Sequence, residues 1–155
     1  MDRRETYTVG YSDVAVRYMT RRHAARDAAF LLPHLKPGMN LLDCGCGPGT
    51  ISVGLAEAVA PGQVIGVDMN AGQVEGARTV ARDRGVTNLS FEAASVYQLP
   101  FPDHSFDAAF SHALFEHLGE PLAALQEIRR VLRPGGFVCL SSPDWSGNQI
   151  GRAHV

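Results

Sequence analysis

The chain has 155 residues, of which 45% are hydrophobic, and a formal net charge of −2. This length can bury one sizeable core, so we expect a single domain over residues 1–155. The near-neutral charge gives no electrostatic reason to bind nucleic acid or an anionic membrane. The N-terminus shows no signal-peptide pattern and no apolar run reaches 18 residues, so we expect a cytoplasmic protein.

Short apolar segments alternate with helical patterns along the chain, which favours a parallel sheet covered on both faces. A helix over about 12–35 is predicted before the first strand, and Pro134-Gly135-Gly136 should end the last helix sharply. The strands are predicted near 39–44, 63–68, 88–93, 106–111 and 136–142. The helices between them are predicted near 50–60, 71–84 and 121–132, with core stripes Val74, Ala77 and Ala81, and Leu125, Ile128 and Leu132.

A glycine-rich turn, residues 45–49, links the first strand to the following helix. Glycines allow positive φ and let backbone N–H groups lie bare against a ligand. The helix N-terminus favours a carboxylate or a phosphate. Asp43, at the end of the strand, would repel a pyrophosphate but attract an ammonium. The pattern therefore indicates a ligand with both charges close together, such as an amino-acid moiety.

A second acid, Asp68, ends the second strand 21 positions after Gly47. In doubly wound folds this spacing places a carboxylate where it accepts hydrogen bonds from both ribose hydroxyls. Met69 follows it, with a polarisable side chain that can pack on an adenine face. The two strand ends together indicate an adenosine joined to an amino acid.

Five segments of the chain, in this order and spacing, resemble the class I S-adenosylmethionine-dependent methyltransferases, in particular the small-molecule branch similar to quinone-biosynthesis enzymes. The segments are 41–50, 67–69, 99–103 with 105–107, 116–118, and 130–136. The resemblance implies a Rossmann-like doubly wound α/β sheet of order 3-2-1-4-5, with S-adenosylmethionine as cofactor. It also implies methyl transfer by in-line displacement to a small-molecule acceptor, which needs alignment more than a protein nucleophile.

The resemblance implies that Asp43 and the 45–49 loop hold the methionine part of the donor, while Asp68 holds the ribose. Tyr18 and Arg22 are expected to contact the donor from an N-terminal lid, with a solvated helix face as the competing interpretation. The predicted cofactor-binding residues are Tyr18, Arg22, Asp43, Cys44, Gly45, Cys46, Gly47, Gly49, Asp68, Met69, Ser95, Val96, Ser111 and His112.

The third and fourth strand ends should complete the site, because ligands bind beyond the carboxyl ends of such strands. The family pattern has an aspartate for the adenine amino group where this chain has Ser95, so recognition would depend more on main chain near Val96. A general base is needed only if the acceptor arrives protonated. His117 is the predicted base and His112 the second candidate, while a loop-orienting role for His117 stays open.

The sequence also offers candidate residues for the acceptor pocket. Tyr97, Phe101, Phe115 and Trp145 would suit a planar apolar acceptor such as a quinol or phenol, or belong to the core. Ser-His-Ala-Leu stands after the fourth strand, where methyltransferases of nucleobase amino groups carry Asn-Pro-Pro-Tyr. This counts against nucleic acid and glutamine-amide substrates.

Two other functions stay open. One is a non-catalytic S-adenosylmethionine-binding module. The other is a nicotinamide-dependent dehydrogenase, which is disfavoured because Thr50 stands where that turn needs glycine and Asp43 would face the pyrophosphate. Cys44, Cys46 and Cys139 lack zinc spacing and form no even disulfide framework, so we expect buried thiols and no metal.

The end of the chain is unusual, since the family sheet has seven strands and only five can be identified here. We therefore expect a C-terminally truncated domain without the last two strands. The strand over residues 137–140 would then form a bare apolar edge. Such an edge favours homodimerisation or aggregation.

Overall fold

The computed structural model describes residues 13–142. Its five strands are β1 (Leu41–Cys44), β2 (Val64–Asp68), β3 (Leu89–Ala93), β4 (Phe106–His112) and β5 (Leu132–Ser141). They pair in parallel in the order β3-β2-β1-β4-β5. This order confirms the doubly wound α/β fold. Its topological switch point, where the strand order reverses, lies between β1 and β4.

Residues 13–142 contain five α-helices, two before the first strand and three between strands. They are α1 (Asp13–Met19), α2 (Ala24–Asp27), α3 (Thr50–Val59), α4 (Ala71–Asp83) and α5 (Pro121–Val131). Single turns of 3₁₀-helix lie at Leu32–His34 and Phe115–His117. None of the helices in residues 13–142 has the length and apolar character that crossing a bilayer requires.

The sheet separates two apolar clusters. Leu41 packs with residues of α2 and α3 on one face, whereas Leu42 packs with residues of α5 on the other. Successive strand residues point to opposite faces, and here both faces are buried. This explains why the central strands β1, β2 and β4 are apolar without alternation. In α5 the buried stripe is Ala124, Ile128 and Val131, and Leu125 is only half-buried.

The single helix predicted over 12–35 is wrong, because the segment breaks into α1, α2 and the first 3₁₀ turn. Local side-chain hydrogen bonds accompany the break. Thr20 Oγ1 donates to the Arg17 carbonyl at 2.9 Å, and Asp27 accepts from the His23 N–H at 2.8 Å where α2 begins. Such bonds offer the backbone an alternative to a continuous helix. The break leaves Met19 buried at the end of α1.

The Pro134-Gly135-Gly136 segment differs from its predicted role as a simple helix stop. Helix α5 ends at Val131, and Leu132 already pairs with Phe106 of β4. The register then shifts, so that the next paired residues are Ala108 and Phe137. The segment is therefore an irregularity inside β5 rather than a turn before it.

Arg130 ties α5 to the loop that precedes β4. Its guanidinium donates to the carbonyls of Leu99 at 3.0 Å and Phe101 at 2.9 Å. It also donates to the carboxylates of Asp103 and Glu127, each at 2.7 Å. Glu127 in turn accepts from the Leu99 N–H at 2.8 Å. Two of the segments that carry the family resemblance thus hold each other in place.

Arg130→Lys should lower the free energy of unfolding by about 1–2 kcal/mol, because an ammonium cannot serve all these acceptors at once. Urea denaturation of both proteins measures the difference. Arg129→Lys, at an exposed neighbouring position, is the matched control and should change stability by less than about 0.5 kcal/mol. Equal effects of the two substitutions would contradict this role of Arg130.

Candidate functional site

A cavity opens at the carboxyl ends of β1, β2 and β4. Its volume is about 900 Å³ when the space of the open mouth is included. The sequence-predicted residues that line it are Arg22, Asp43, Gly45, Cys46, Gly47, Asp68, Met69, Val96, His112 and His117. The strand ends around the topological switch point of the sheet therefore bring together ten of the residues that the sequence predicted for the site.

The glycine-rich loop uses its amides internally, which differs from the expected row of bare N–H groups. Gly45 and Cys46 donate to the Val67 carbonyl at 2.8 and 3.0 Å. Gly47 donates to Asp68 Oδ2 at 3.0 Å, and Gly49 donates to the Cys46 carbonyl at 3.0 Å. Three of these amides thus hold the loop on the end of β2, and the Gly49 amide closes the turn within the loop.

The loop glycines are required by conformation and by close packing. Gly45, Gly47 and Gly49 have φ values of +74°, +52° and +76°, which side chains disfavour. A Cβ on Gly49 would lie 2.7 Å from the Phe91 ring and 2.9 Å from Ala77. Gly49 is therefore a packing residue that brings the loop onto α4 and β3, and it does not line the cavity.

Asp43 is a buried carboxylate on the cavity lining, with 2% of its surface exposed. Burial raises its pKa to about 7; the Ser52 hydroxyl, which donates to it at 2.6 Å, opposes this shift, and the nearby charge of Asp68 adds to it. Within residues 13–142 it has no ion-pair partner. A cationic group in the cavity would compensate this carboxylate.

Asp68 holds both carboxylate oxygens in fixed positions. Oδ2 accepts from the Gly47 N–H at 3.0 Å and Oδ1 from the Asn70 N–H at 2.9 Å. Burial raises its pKa, while these two bonds oppose the shift. Each oxygen keeps a second acceptor site. The arrangement suits a pair of adjacent hydroxyl groups, and Met69 beside it is 48% exposed.

Arg22 is the cationic side chain in the cavity lining. Its guanidinium carbon lies 5.5 Å from the centroid of the Tyr18 ring, a cation–π distance. Tyr18 itself is 55% exposed and does not line the cavity. Tyr18 therefore contacts Arg22 rather than the cavity, which differs from the expectation that both touch the donor.

Two histidines line the cavity on the β4 side. The Nδ1 atom of His112 lies 3.3 Å from Ser141 Oγ, and His117 lies on the second 3₁₀ turn. Burial, followed by the charge of Arg22, lowers the pKa of His112. This shift favours the neutral form of the His112 ring.

Three further predicted residues lie outside the cavity lining: Cys44, Ser95 and Ser111. Ser111 Oγ donates to the Cys44 carbonyl at 2.9 Å and so joins β4 to β1. Ser95 Oγ accepts from the Tyr97 N–H at 3.2 Å in a local turn. Both hydroxyls are thus used to shape the strand ends, and Val96 lines the cavity in place of Ser95.

Three of the aromatic residues suggested for a planar acceptor, Tyr97, Phe101 and Phe115, do not line the cavity either. The Tyr97 hydroxyl accepts from the Glu120 N–H at 3.1 Å. Phe101 packs edge-on against Phe106, with ring centroids 5.1 Å apart, and Phe115 packs against the apolar cluster of α5. Trp145 lies outside the described residues. Core packing is therefore the role that the structure gives Phe101 and Phe115.

The cavity also contains residues that sequence reasoning did not single out as contacts: Met19, Thr50, Ile51 and Leu118. Most are apolar, and they come from α1, the start of α3 and the loop after β4. Proximity to the glycine turn could have identified Thr50 and Ile51. Met19 carries no such signal, because its position depends on the break after α1.

The cysteines are buried or half-buried. Burial raises the pKa of Cys44, Cys46 and Cys139, so these groups are protonated thiols at neutral pH. The part of the chain that the structure describes contains no cluster of three metal-ligating side chains.

Comparison with known proteins identifies the family to which the chain belongs. A family model described as a methyltransferase domain matches residues 35–155. An uncharacterised methyltransferase of Schizosaccharomyces pombe is 38% identical over 144 residues, or 86% of this chain and 52% of that protein. A demethylmenaquinone methyltransferase of Symbiobacterium thermophilum is 38% identical over 112 residues, which cover 70% of this chain and 45% of that protein. The chain spans about half the length of the curated relatives it matches.

A solved structure gives the same result. A SAM-dependent methyltransferase from Aquifex aeolicus superposes with a TM-score of 0.76 and 26% identity, covering 84% of this chain and 72% of that one. The cavity fits the cofactor of that family, since a buried acid, a fixed carboxylate and an arginine match an ammonium, a ribose and a carboxylate. The chain belongs to the methyltransferase domain family and has the fold of the S-adenosylmethionine-dependent methyltransferases.

Proposed function

We propose that this chain forms one S-adenosylmethionine-binding domain that transfers the methyl group to a small-molecule acceptor. The observation that carries the proposal is the pair of acids at adjacent strand ends, Asp43 and Asp68, in one cavity with Arg22. A desolvated carboxylate without an ion-pair partner in residues 13–142 favours a cationic ligand. A dinucleotide would instead place its pyrophosphate beside Asp43, and the two negatively charged groups would repel each other.

Each polar residue then has a partner on the donor. Asp43 would accept from the ammonium, and Arg22 would bind the carboxylate in a charge-assisted hydrogen bond. Asp68, whose oxygens are fixed by Gly47 and Asn70, would accept from the ribose hydroxyls. Met69 and Val96 offer apolar contact for the adenine.

S-adenosylmethionine supplies a methyl group on a positively charged sulfur, so the donor is already activated. The protein has to align the acceptor with that methyl group and exclude water. Met19, Ile51, Leu114 and Leu118 give the cavity its apolar lining. This lining favours an apolar small-molecule acceptor, and a general base is needed only for an acceptor that carries a proton. His117, the base predicted from sequence, lines the cavity and remains a candidate for that role.

A second proposal concerns the outer edge of β5, which ends the sheet described here. Val138 and Leu140 are 36% and 40% exposed, and the strand has no neighbour on that side within residues 13–142. We propose that a second copy of the chain pairs with this edge, because unpaired apolar edges favour association. Light scattering of the protein and of Leu140→Lys tests it; a monomer in both cases would contradict it.

Asp68→Asn should weaken S-adenosylmethionine binding by roughly 10- to 100-fold, because charge-assisted hydrogen bonds to the ribose are lost. Isothermal titration calorimetry with the donor and with its demethylated product measures both affinities. Asp83→Asn removes an exposed acid at the far end of α4 and should bind as the wild type does. An unchanged affinity in Asp68→Asn would remove the ribose assignment.

The affinity for the donor should rise with pH between about 6 and 8. The pKa of Asp43 is about 7 in the ligand-free protein, and an ammonium beside it favours the ionised form, so binding below pH 7 releases a proton. We expect about tenfold weaker binding at pH 6 than at pH 8. Calorimetry in buffers of different ionisation enthalpy measures the proton release, and Asp43→Asn should abolish it.

Asp43 also gives a prediction for stability, which should change with pH in the opposite direction to the donor affinity. Because the pKa of Asp43 is raised above its usual value of 3.8, the folded chain holds more protons than the unfolded chain between about pH 4 and 7. The free energy of unfolding of the ligand-free protein should therefore fall as pH rises through this window. Denaturation curves of the wild type and Asp43→Asn test this; an equally steep fall in the variant would contradict it.

A further inference from the structure

We propose that His112 is the general base of the reaction and that the acceptor is therefore a weakly acidic hydroxyl compound of the phenol class. This inference rests on the proposed function and extends it, because the donor alone does not specify which atom is methylated. It is carried by the position of His112 in the sheet, its contact with Ser141 and the charges around it.

The sheet order puts His112 on the acceptor side of the cavity. The donor is proposed to occupy the ends of β1 and β2, where Asp43 and Asp68 lie. Strand β4 lies on the other side of β1 from β2, and the cavity continues there along His112, Ala113 and Leu114. This half of the cavity is left for the methyl acceptor. His112 lies there among apolar neighbours that suit a ring.

Two paired strands position the His112 ring. His112 and Ser141 are partners in the β4–β5 register, and the Ala113 N–H donates to the Ser141 carbonyl at 2.8 Å. The Nδ1 atom of His112 lies 3.3 Å from Ser141 Oγ. The proposal requires the tautomer in which Nδ1–H donates to that oxygen, because Nε2 then carries the lone pair that takes the acceptor proton.

The charges around the ring favour its neutral form. Burial lowers the pKa of His112 most, and Arg22 lowers it further, as does Arg26 of α2. Asp27 of α2 and Glu116 of the second 3₁₀ turn act in the opposite direction without reversing the shift. A neutral imidazole at neutral pH is the state that accepts a proton.

The step balances with no further reactant. Nε2 of His112 takes the proton from the acceptor hydroxyl while the oxygen forms a bond to the methyl carbon. The bond from that carbon to sulfur breaks, and its electron pair stays on sulfur, which becomes neutral. The products are a methyl ether, the demethylated donor and an imidazolium, which then passes its proton to water.

The other ionisable groups near the β4 end suit this role less well. Glu116 accepts a hydrogen bond from Ser142 Oγ at 2.7 Å and does not line the cavity. His117 does line it, but it lies on a single 3₁₀ turn rather than on paired strands. Catalytic groups are held more precisely on strands than on short loops. His112 is therefore the better supported base.

The test uses para-substituted phenols as acceptor probes, from phenol to 4-nitrophenol, which is the most acidic of the set. His112→Ala should lower kcat/KM for phenol by about 10²- to 10⁴-fold. It should lower it much less for 4-nitrophenol, which loses its proton without help. Added imidazole should restore part of the rate with phenol. His34→Gln, an exposed histidine on another surface, is the control and should match the wild type.

Two measurements separate catalysis from folding and from donor binding. Calorimetry should show that His112→Ala binds S-adenosylmethionine within about threefold of the wild type, because the ring is proposed to face the acceptor and not, as predicted from the sequence, the donor. An NMR titration of the His112 ring in the donor-free protein should show that it stays neutral at pH 7. Ser141→Ala should cost roughly three- to tenfold in kcat/KM and change the titration, because the ring loses its hydrogen bond.

Several results would overturn the inference while the proposed function stands. They are donor binding without turnover of any phenol, a larger loss in His117→Ala than in His112→Ala, an equal loss for phenol and 4-nitrophenol, or a His112 ring that is protonated at pH 7. A wild-type protein that does not bind S-adenosylmethionine would instead overturn the proposed function, and this inference with it.

Discussion

The site depends on a carboxylate that the fold removes from water. Asp43 lies next to the end of the central strand β1, and burial there raises its pKa to about 7. The single hydrogen bond from the Ser52 hydroxyl replaces the lost hydration only in part. In the ligand-free protein the ionised Asp43 carboxylate is therefore unfavourable at the topological switch point of the sheet. A cation bound beside Asp43 removes that cost. The proposed preference for a zwitterionic sulfonium donor over a dinucleotide follows from this one group.

The fold was predictable because the three central strands, β1, β2 and β4, are largely buried on both faces and therefore read as short apolar runs. The ends of β1 and β2 were predictable because the acids Asp43 and Asp68 interrupt those apolar runs, Asp43 one residue before the end of β1 and Asp68 at the end of β2. The helix breaks were not predictable in this way. The segment before β1 has helical spacing throughout, and its division depends on local hydrogen bonds of Thr20 and Asp27.

The finer features of the site depend on hydrogen bonds that spacing does not reveal. Ser111 and Ser95 stand at strand ends, yet both hydroxyls bind neighbouring main chain. Likewise, the loop glycines were expected to expose their amides, but these amides bind Val67, Asp68 and Cys46. A residue at the right position in a motif can therefore build the site without contacting the ligand.

The most direct test of the central claim is a crystal structure with the demethylated donor bound. We expect electron density along the ends of β1 and β2, with the ligand's ammonium beside Asp43 and both ribose hydroxyls on the carboxylate of Asp68. Density for the ligand at another site would contradict this claim. So would a failure of the demethylated donor to bind while a dinucleotide binds in the same crevice.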